Sequence, residues 1–375
     1  MFLFLTNVFR LGVKELWSLW RDRMMLVLIV YIFSFAVYTA GTAEPSTLRH
    51  APLGIVDEDH SALSAQISAT FYPPEFTGPT QIQRSAQDPG LDAGIYTFVL
   101  NIPPNFQRDV LASRSPAIQL NVDATRMSQA FMGSGYITQM VNDEVTDFVY
   151  HRKDNAETPG SLAYRVRFNP SFDRGWFRSL MELVNHLTML SIVLTGAALI
   201  REKEHGTIEH LLVMPVTPAE IMLSKIWSMS LVVLVSTWLS LTLMIGWVLN
   251  VPIEGSVGLF LAGACLHLFA TSSIAIFMAT LARTMPQFGM LVVLVLMPLD
   301  TLSGGTTPFE SMPLAVRMLM SLSPTTHFIE MSQAILFRGA GIDVVWQQFL
   351  WLAAIGGVLF TVSHARFRRT IGGMA

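Results

Sequence analysis

Six apolar runs, each long enough to cross a bilayer, constrain this chain more than any other feature. A hydrocarbon core takes about 20 apolar residues of helix. Runs of that kind lie at 24–43, 180–200, about 227–249, 257–282, from Phe288 through "GMLVVLVLMPLDTLSG", and about 345–363. Backbone groups in lipid must be satisfied within the segment, so such runs fold as helices. Composition agrees, with only 14% of the 375 residues charged, against about a quarter in an average soluble protein.

Between the first two runs, residues 44–178 hold 15 acidic and 11 basic residues, the composition of a water-facing domain. Within it "APLGIVD", "IYTFVLNI" and "AIQLNVDA" read as strands, and "LAYRVRF" as a fourth. "DHSALSAQISATF" reads as a helix with Asp59 or Ser61 near its N-cap. "PPNFQRDVLAS" reads as a helix opened by Pro103 and Pro104, and the stretch from Met127 to Asp154 as a long one. Alternating strands and helices predict an α/β layer with a core of its own.

Lys and Arg beside the spans set orientation, because positive flanks stay in the cytoplasm. One side carries Arg10, Lys14, Arg21, Arg23, Arg201, Lys203, Lys225, Arg283, Arg366, Arg368 and Arg369, and the other only Arg317 and Arg338. This predicts cytoplasmic termini and an extracytoplasmic 44–178 domain. In the N-terminal stretch, Arg10, Lys14 and Glu15 interrupt the apolar positions and no small-residue cleavage site follows, so it does not read as a cleaved secretory signal. The lone Cys265 allows no intrachain disulfide. A net charge of -3 argues against a nucleic-acid partner.

Few residues suggest chemistry. Asp57, Glu58, Asp59 and His60 have metal-binding side chains, but no second cluster accompanies them, and a solvated strand-to-helix turn is the better explanation. No nucleophile, base and orienter come together in the pattern, so no catalytic residue is assigned. Ionisable residues within spans are functional candidates by default. Glu182, Asn185 and His186 share a helix face at the external end of the second span, where they could bind polar substrate groups, touch the external domain or simply meet water. Asp300, after Pro298, reads either as a cap where the fifth helix ends or as part of an exit path. His267 lies deeper and has no evident partner.

The charged stretch "REKEHGTIEHLLVMPVTPAEIMLSKI", 201–226, separates the second and third spans. Gly206 suits a helix stop. Ile208, Leu211 and Leu212 form one face of a short helix, and Pro215 ends it. "TPAE" is a capping box, with Thr217 at the N-cap, Pro218 at N1 and Glu220 at N3. A short crosswise helix could lie on lipid, reverse the chain, or receive a push from a partner protein.

These residues carry a resemblance. "LTGAALIREKEHGTIEHLLVMPVTPAEIMLSKI" resembles the signature of type-2 ABC transporter permeases through Arg201, Glu202, Glu204, Gly206, Thr207, Glu209, Leu211, Leu212, Pro215, Thr217, Glu220 and Lys225, departing from the commoner pattern at Met214 and Ser224. The resemblance covers the whole chain, including "LSGGTTPFESMP" and "LSPTTHFIEMSQAILFRGAG". It implies a polytopic α-helical membrane protein: an amphipathic connecting helix in 1–23, a first span at 24–43, an extracytoplasmic α/β domain at 44–178, and five further spans in 179–375. It further implies a coupling helix, 205–214, through which His205, Gly206, Thr207, Glu209, Leu211, Leu212, Pro215 and Glu220 engage a cytoplasmic ATPase. The connecting helix, about 4–19, would turn Phe2, Leu5, Val8, Leu16 and Trp20 toward lipid. Segment 304–344 would form re-entrant helices at an outer gate, with Pro308, Pro313, Pro324 and Arg338 belonging to it.

By the same resemblance the chain is a permease subunit in a bacterial inner membrane and works as a dimer with itself or a sister permease. A periplasmic adaptor and an outer-membrane channel would complete the path. With no Walker motif, the chain would bind no cofactor itself and would draw on ATP through its partner. An amphipathic or hydrophobic cargo, drug-like or lipid-like, is expected because no charged ring lines the spans. Two alternatives remain at this stage: a membrane-anchored receptor or docking protein using the external domain, and a membrane enzyme.

Overall fold

A computed structural model describes residues 2–43, 50–114, 116–123, 127–152, 174–206, 216–305, 309 and 312–372. The chain divides into two compact units, one of residues 1–44 with 174–375 and one of residues 45–173. It opens with α1 (Phe2–Arg21) and, after a break at Asp22, α2 (Arg23–Thr42). Asp22 makes that break by accepting from the backbone N–H of Met25 at 3.2 Å, the N-cap bond that starts α2.

The second unit follows in chain order as β1 (Leu53–Asp57), α3 (Ala62–Ala69), β2 (Thr80–Gln81), α4 (Gln87–Asp92), β3 (Phe98–Ile102), α5 (Phe106–Leu111), β4 (Gln119–Val122) and α6 (Met127–Arg152). The sheet order is β2-β1-β3-β4, with β1 parallel to both its neighbours and β3 antiparallel to β4. The central strands "LGIVD" and "FVLNI" are buried almost throughout, as near-continuous apolar runs are when both sheet faces are covered. Leu53, Ile55, Leu63, Ile67, Phe98 and Ile137 form the core between sheet and helices.

Here one expectation is borne out in one of its two forms and another changes. Ser61, not Asp59, caps α3, in a reciprocal capping box with Ser64. Pro103 and Pro104 precede α5 rather than open it, because Asn105 takes a left-handed conformation (φ 64°) between them and the helix. The carboxylates of the 57–60 cluster are engaged in the turn. Asp57 accepts from the N–H groups of Asp59 and His60 and from the Ser64 hydroxyl, Asp59 accepts from the Gln107 N–H, and Glu58 pairs with Arg84. The expected strand at 162–168 lies outside the described residues.

The first unit resumes with α7 (Arg174–Glu204), α8 (Pro218–Val248), α9 (Val257–Leu281), α10 (Met285–Leu302), α11 (Leu314–Met320), α12 (Pro324–Leu336) and α13 (Ile342–Gly372). Among the described residues six helices, α2, α7, α8, α9, α10 and α13, are long and apolar enough to cross a membrane. α7 and α9 are mostly buried, whereas α10 and α13 expose most of their apolar surface, as helices against lipid or another protein do. Close approach relies on glycine: a side chain at Gly196 would overlap the Phe288 ring of α10, and one at Gly12 would overlap Trp227 of α8.

A polar seam joins α7 to α9 inside this apolar packing. Thr188 meets His267 at 2.8 Å, Ser191 meets Thr271 at 2.6 Å, and the Thr195 hydroxyl donates to that of Ser272 at 3.1 Å. Such bonds contribute roughly 0.6 kcal/mol each in a membrane protein, enough to fix the register of two helices that apolar contact alone would let slide. His267 is therefore partnered and stacked on Phe328 of α12, contrary to the expectation of a lone imidazole. A second adjustment occurs where α2 and α8 each contain a π-helical stretch, 32–36 and 240–248. Widening a helix displaces its carbonyls, and the Ser240 hydroxyl donates to the carbonyl of Phe33 at 2.5 Å.

Candidate functional site

Two places in the first unit concentrate charge, one at each end of α7. At the C-terminal end the four residues "REKE" grip different helices. Arg201 pairs with Asp22, the cap of α2, at 3.3 Å. Glu202 accepts from Lys14 of α1 at 2.9 Å and faces Lys225 of α8 at 2.7 Å. Lys203 donates to the carbonyls of Ala279 and Ala282 at 2.9 and 2.7 Å, satisfying the end of α9. Glu204 accepts from the N–H of Met285 at 2.7 Å and so caps the start of α10. One turn of helix thus ties α7 to five others.

Lys225 is the centre of this hub. Its side chain is 2% exposed, and it also donates to Glu15 of α1 at 3.0 Å. Burial, the largest influence, pushes the Glu15 carboxyl up, and the like charge of Glu202 adds to that, against the pull of Lys225 and Lys14. Burial would lower the Lys14 ammonium, but the hydrogen bond and charge of Glu202, with help from Glu15, outweigh it and hold Lys14 above its usual range. The α1–α8 seam continues with Trp227, whose indole N–H donates to the Val8 carbonyl at 3.1 Å while its ring stacks on Phe9.

The face of α1 left exposed is Leu3, Leu5, Phe9, Trp17 and Trp20. This corrects the expected lipid face at two positions, since Val8 and Leu16 are half-buried. Turning Gly12, Glu15 and Leu19 inward to meet α8 and α7 rotates the helix away from the face that apolarity alone suggests. The Phe2 side chain lies outside what is described.

Of the residues expected to engage an ATPase, Thr207, Glu209, Leu211, Leu212 and Pro215 lie outside the described residues. α7 ends at Glu204, and Gly206 takes the left-handed conformation (φ 67°) that stops a helix. His205 Nδ1 lies 2.8 Å from the carbonyl of Arg201. Glu220 is buried rather than presented outward. It completes the Thr217 capping box and accepts from Asn7 of α1 at 3.1 Å. Sequence reading missed Glu15, Lys14 and Asp22 as partners; the usable signal was Lys225, a cation seven residues inside an apolar helix, which requires carboxylates nearby.

Near the other end of α7 a pocket of about 360 Å³ opens between α7 and α10. Glu182, Asn185 and His186 line it from α7, Asp300 from α10 and Thr325 from α12. His186 Nε2 is 3.4 Å from Glu182, and Asp300 lies within electrostatic range of both. Apart from Thr188 the rest of the wall is apolar, with Met189, Val193, Val292 and Leu296. Asp300 stands in the last turn of α10, which passes through Pro298 and ends at Leu302 with Ser303 as its C-cap.

Arg338 is not part of this pocket; it is exposed beyond the end of α12. Pro313 precedes α11 and Pro324 begins α12, capped by Ser323, while Pro308 lies outside the described residues. Segment 304–344 thus contains two short helices, of which α12 is deeply buried.

Comparison with known proteins places this architecture among relatives. The family model described as ABC-2 family transporter protein matches residues 21–364. The inner membrane transport permease YhhJ of Escherichia coli (strain K12) is 60% identical over 371 residues, 99% of each chain. Two probable multidrug ABC transporter permeases of the same strain are more distant. YbhR is 26% identical, covering 96% of this chain and 97% of that one, and YbhS is 24% identical, covering 90% and 86%.

Proposed function

The chain belongs to the ABC-2 family of transporter proteins, and from that premise we propose that it carries an amphipathic or hydrophobic cargo, drug-like or lipid-like, outward across a bacterial inner membrane. Members of this family are transmembrane subunits of ABC transporters, not enzymes themselves, and they partner an ABC ATPase subunit. On our reading both termini are cytoplasmic, the 44–178 unit is extracytoplasmic, ATP is used through the partner, and two permease copies assemble around the path. α11 and α12 act at the outer gate. A periplasmic adaptor and an outer-membrane channel receive the cargo.

The observation that carries this reading is the "REKE" hub. It lies immediately before 207–215, within the stretch that bears the coupling signature, and ties the C-terminal end of α7 to α1, α2, α8, α9 and α10. A displacement delivered at 205–214 therefore moves six helices together, which is what alternating access driven by an external motor requires.

The test is purification of the tagged chain in mild detergent, with and without Glu209→Lys plus Leu212→Asp, followed by identification of co-purifying proteins and an ATP-hydrolysis assay. Recovery of a Walker-motif ATPase with the intact chain and its loss from the variant is the expected result. Absence of any ATPase even after crosslinking overturns the coupling role and leaves a receptor function for the 44–178 unit.

A further inference from the structure

We propose that the pocket between α7 and α10 is a binding site for lipophilic amines, taken up in their protonated form. The inference rests on the reading of the chain as a permease and narrows its cargo class. The described residues lining the pocket include two carboxylates, Glu182 and Asp300, and no Lys or Arg. The two acids come from different helices, so the carboxylates belong to the cavity and not to one turn; Arg178, one turn from Glu182, acts on that acid from outside the lining, and His186 is the imidazole within it. Opposite the polar end, Val193, Val292 and Leu296 offer an apolar wall. A ligand that satisfies both ends has a compact apolar body and one cationic head.

A second observation points the same way. Thr325, 1% exposed, lines the pocket, and its hydroxyl has no hydrogen-bond partner among the described residues. A buried hydroxyl in that condition is costly until something in the cavity meets it. With the Asn185 carbonyl and the two carboxylates it makes a set of acceptors suited to a head that donates several N–H bonds. Quaternary ammonium groups are recognised instead by aromatic rings, and no Phe, Tyr or Trp lines this cavity. The chemistry therefore selects a primary or secondary ammonium.

Access fits the same class. Met297 lines the pocket and belongs, with Met290, Val293 and Leu294, to the exposed apolar face of α10. A lipophilic amine dissolved in an apolar phase reaches the cavity along that face, head last. A hydrophilic polyamine or a metal ion does not.

The experiment uses the full chain alone in lipid nanodiscs, with tritiated 4-phenylbutylamine and its neutral counterpart 4-phenylbutanol at neutral pH, where the amine is protonated. Empty nanodiscs correct for partition into lipid. The amine is expected to bind at least about tenfold more tightly than the alcohol, the scale of a hydrogen bond to a charged group. Glu182→Gln and Asp300→Asn should each remove most of that preference, and Thr325→Val should weaken amine binding several-fold, with alcohol binding reduced less than amine binding in every case. Retained alcohol binding shows that the cavity is still formed. Val193→Trp, which fills the apolar end, should abolish binding of both.

Equal affinity for amine and alcohol overturns the proposal. So does absence of saturable amine binding, or a preference that survives in the Glu182→Gln, Asp300→Asn double variant. Because no ATPase is present, any of these failures leaves the coupling role to be judged by co-purification.

Discussion

The two ends of α7 hold charges about 30 Å apart, 20 residues at about 1.5 Å each, and they use them in opposite ways. At the Arg201–Glu204 end each ionised side chain meets an opposite charge or a helix terminus within 3.3 Å. Around Glu182 the acids face a cavity instead. Burying a charge is tolerated when partners satisfy it, and removing one partner then costs more than the pair contributes. The pocket acids touch neighbours as well, His186 lying 3.4 Å from Glu182, but they also line a cavity that a ligand can enter. The comparison separates charges that hold the bundle together from charges kept for something that binds.

The largest effect is expected from Lys225→Met. It leaves Glu15 and Glu202 buried with only Lys14 near them, so the expected loss is about 3–5 kcal/mol, read as collapse of the thermal unfolding midpoint of the full chain in detergent. A triple variant that also carries Glu15→Gln and Glu202→Gln should recover much of that loss, because it removes the stranded charges as well. If the triple variant is as unstable as Lys225→Met alone, the hub acts through packing and not through charge.

Within the hub, Glu15 and Glu202 are not equivalent, and Glu15→Gln should be the milder change. Glu202 meets two lysines within 3 Å, Lys14 at 2.9 Å and Lys225 at 2.7 Å. Glu15 has one lysine that close, Lys225 at 3.0 Å, with Lys14 at 3.9 Å. Burial raises the folded-state pKa of Glu15 above its unfolded value. Its contribution is therefore fully present below the unfolded pKa, about 4.3, and is lost as pH rises through the folded value. The midpoint of the wild-type chain relative to Glu15→Gln should fall as pH rises through that window. A flat or opposite trend between pH 4 and 8 removes the asymmetry.

How far the sequence revealed each end follows from the kind of pattern involved. Span positions were legible because 20 apolar residues have few folded alternatives, and the Thr217–Glu220 box because capping is local. The hub was half legible. The "REKE" run was visible as a signature, but Glu15, Lys14 and Asp22 lie about 180 to 210 positions away from their partners, and no periodicity encodes a contact of that range. The amphipathic pattern of α1 was visible without its rotation, because Glu15 turns inward only when Lys225 waits there. In the pocket, helical spacing grouped Glu182, Asn185 and His186, yet Asp300 and Thr325 joined them only through packing. Asp300 was ambiguous because "TLSGGTTP" after it reads as a helix end, and α10 does end two residues later, at Leu302, while the cavity it lines is made only by packing.

The smallest effect tests the other half of the comparison. Glu182→Gln and Asp300→Asn keep side-chain volume and remove charge from a cavity wall, so stability should change by less than about 1 kcal/mol, the usual scale away from buried networks. The sign should be neutral or favourable, because an acid in apolar surroundings is easier to hold as an amide. Measured on the same chain as Lys225→Met, these midpoints should stay within a few degrees of wild type while amine binding falls. If instead Glu182→Gln lowers the midpoint as far as Lys225→Met does, the Glu182 to His186 contact at 3.4 Å is a structural bond. The two ends of α7 would then follow one rule, and the pocket acids would belong to the scaffold.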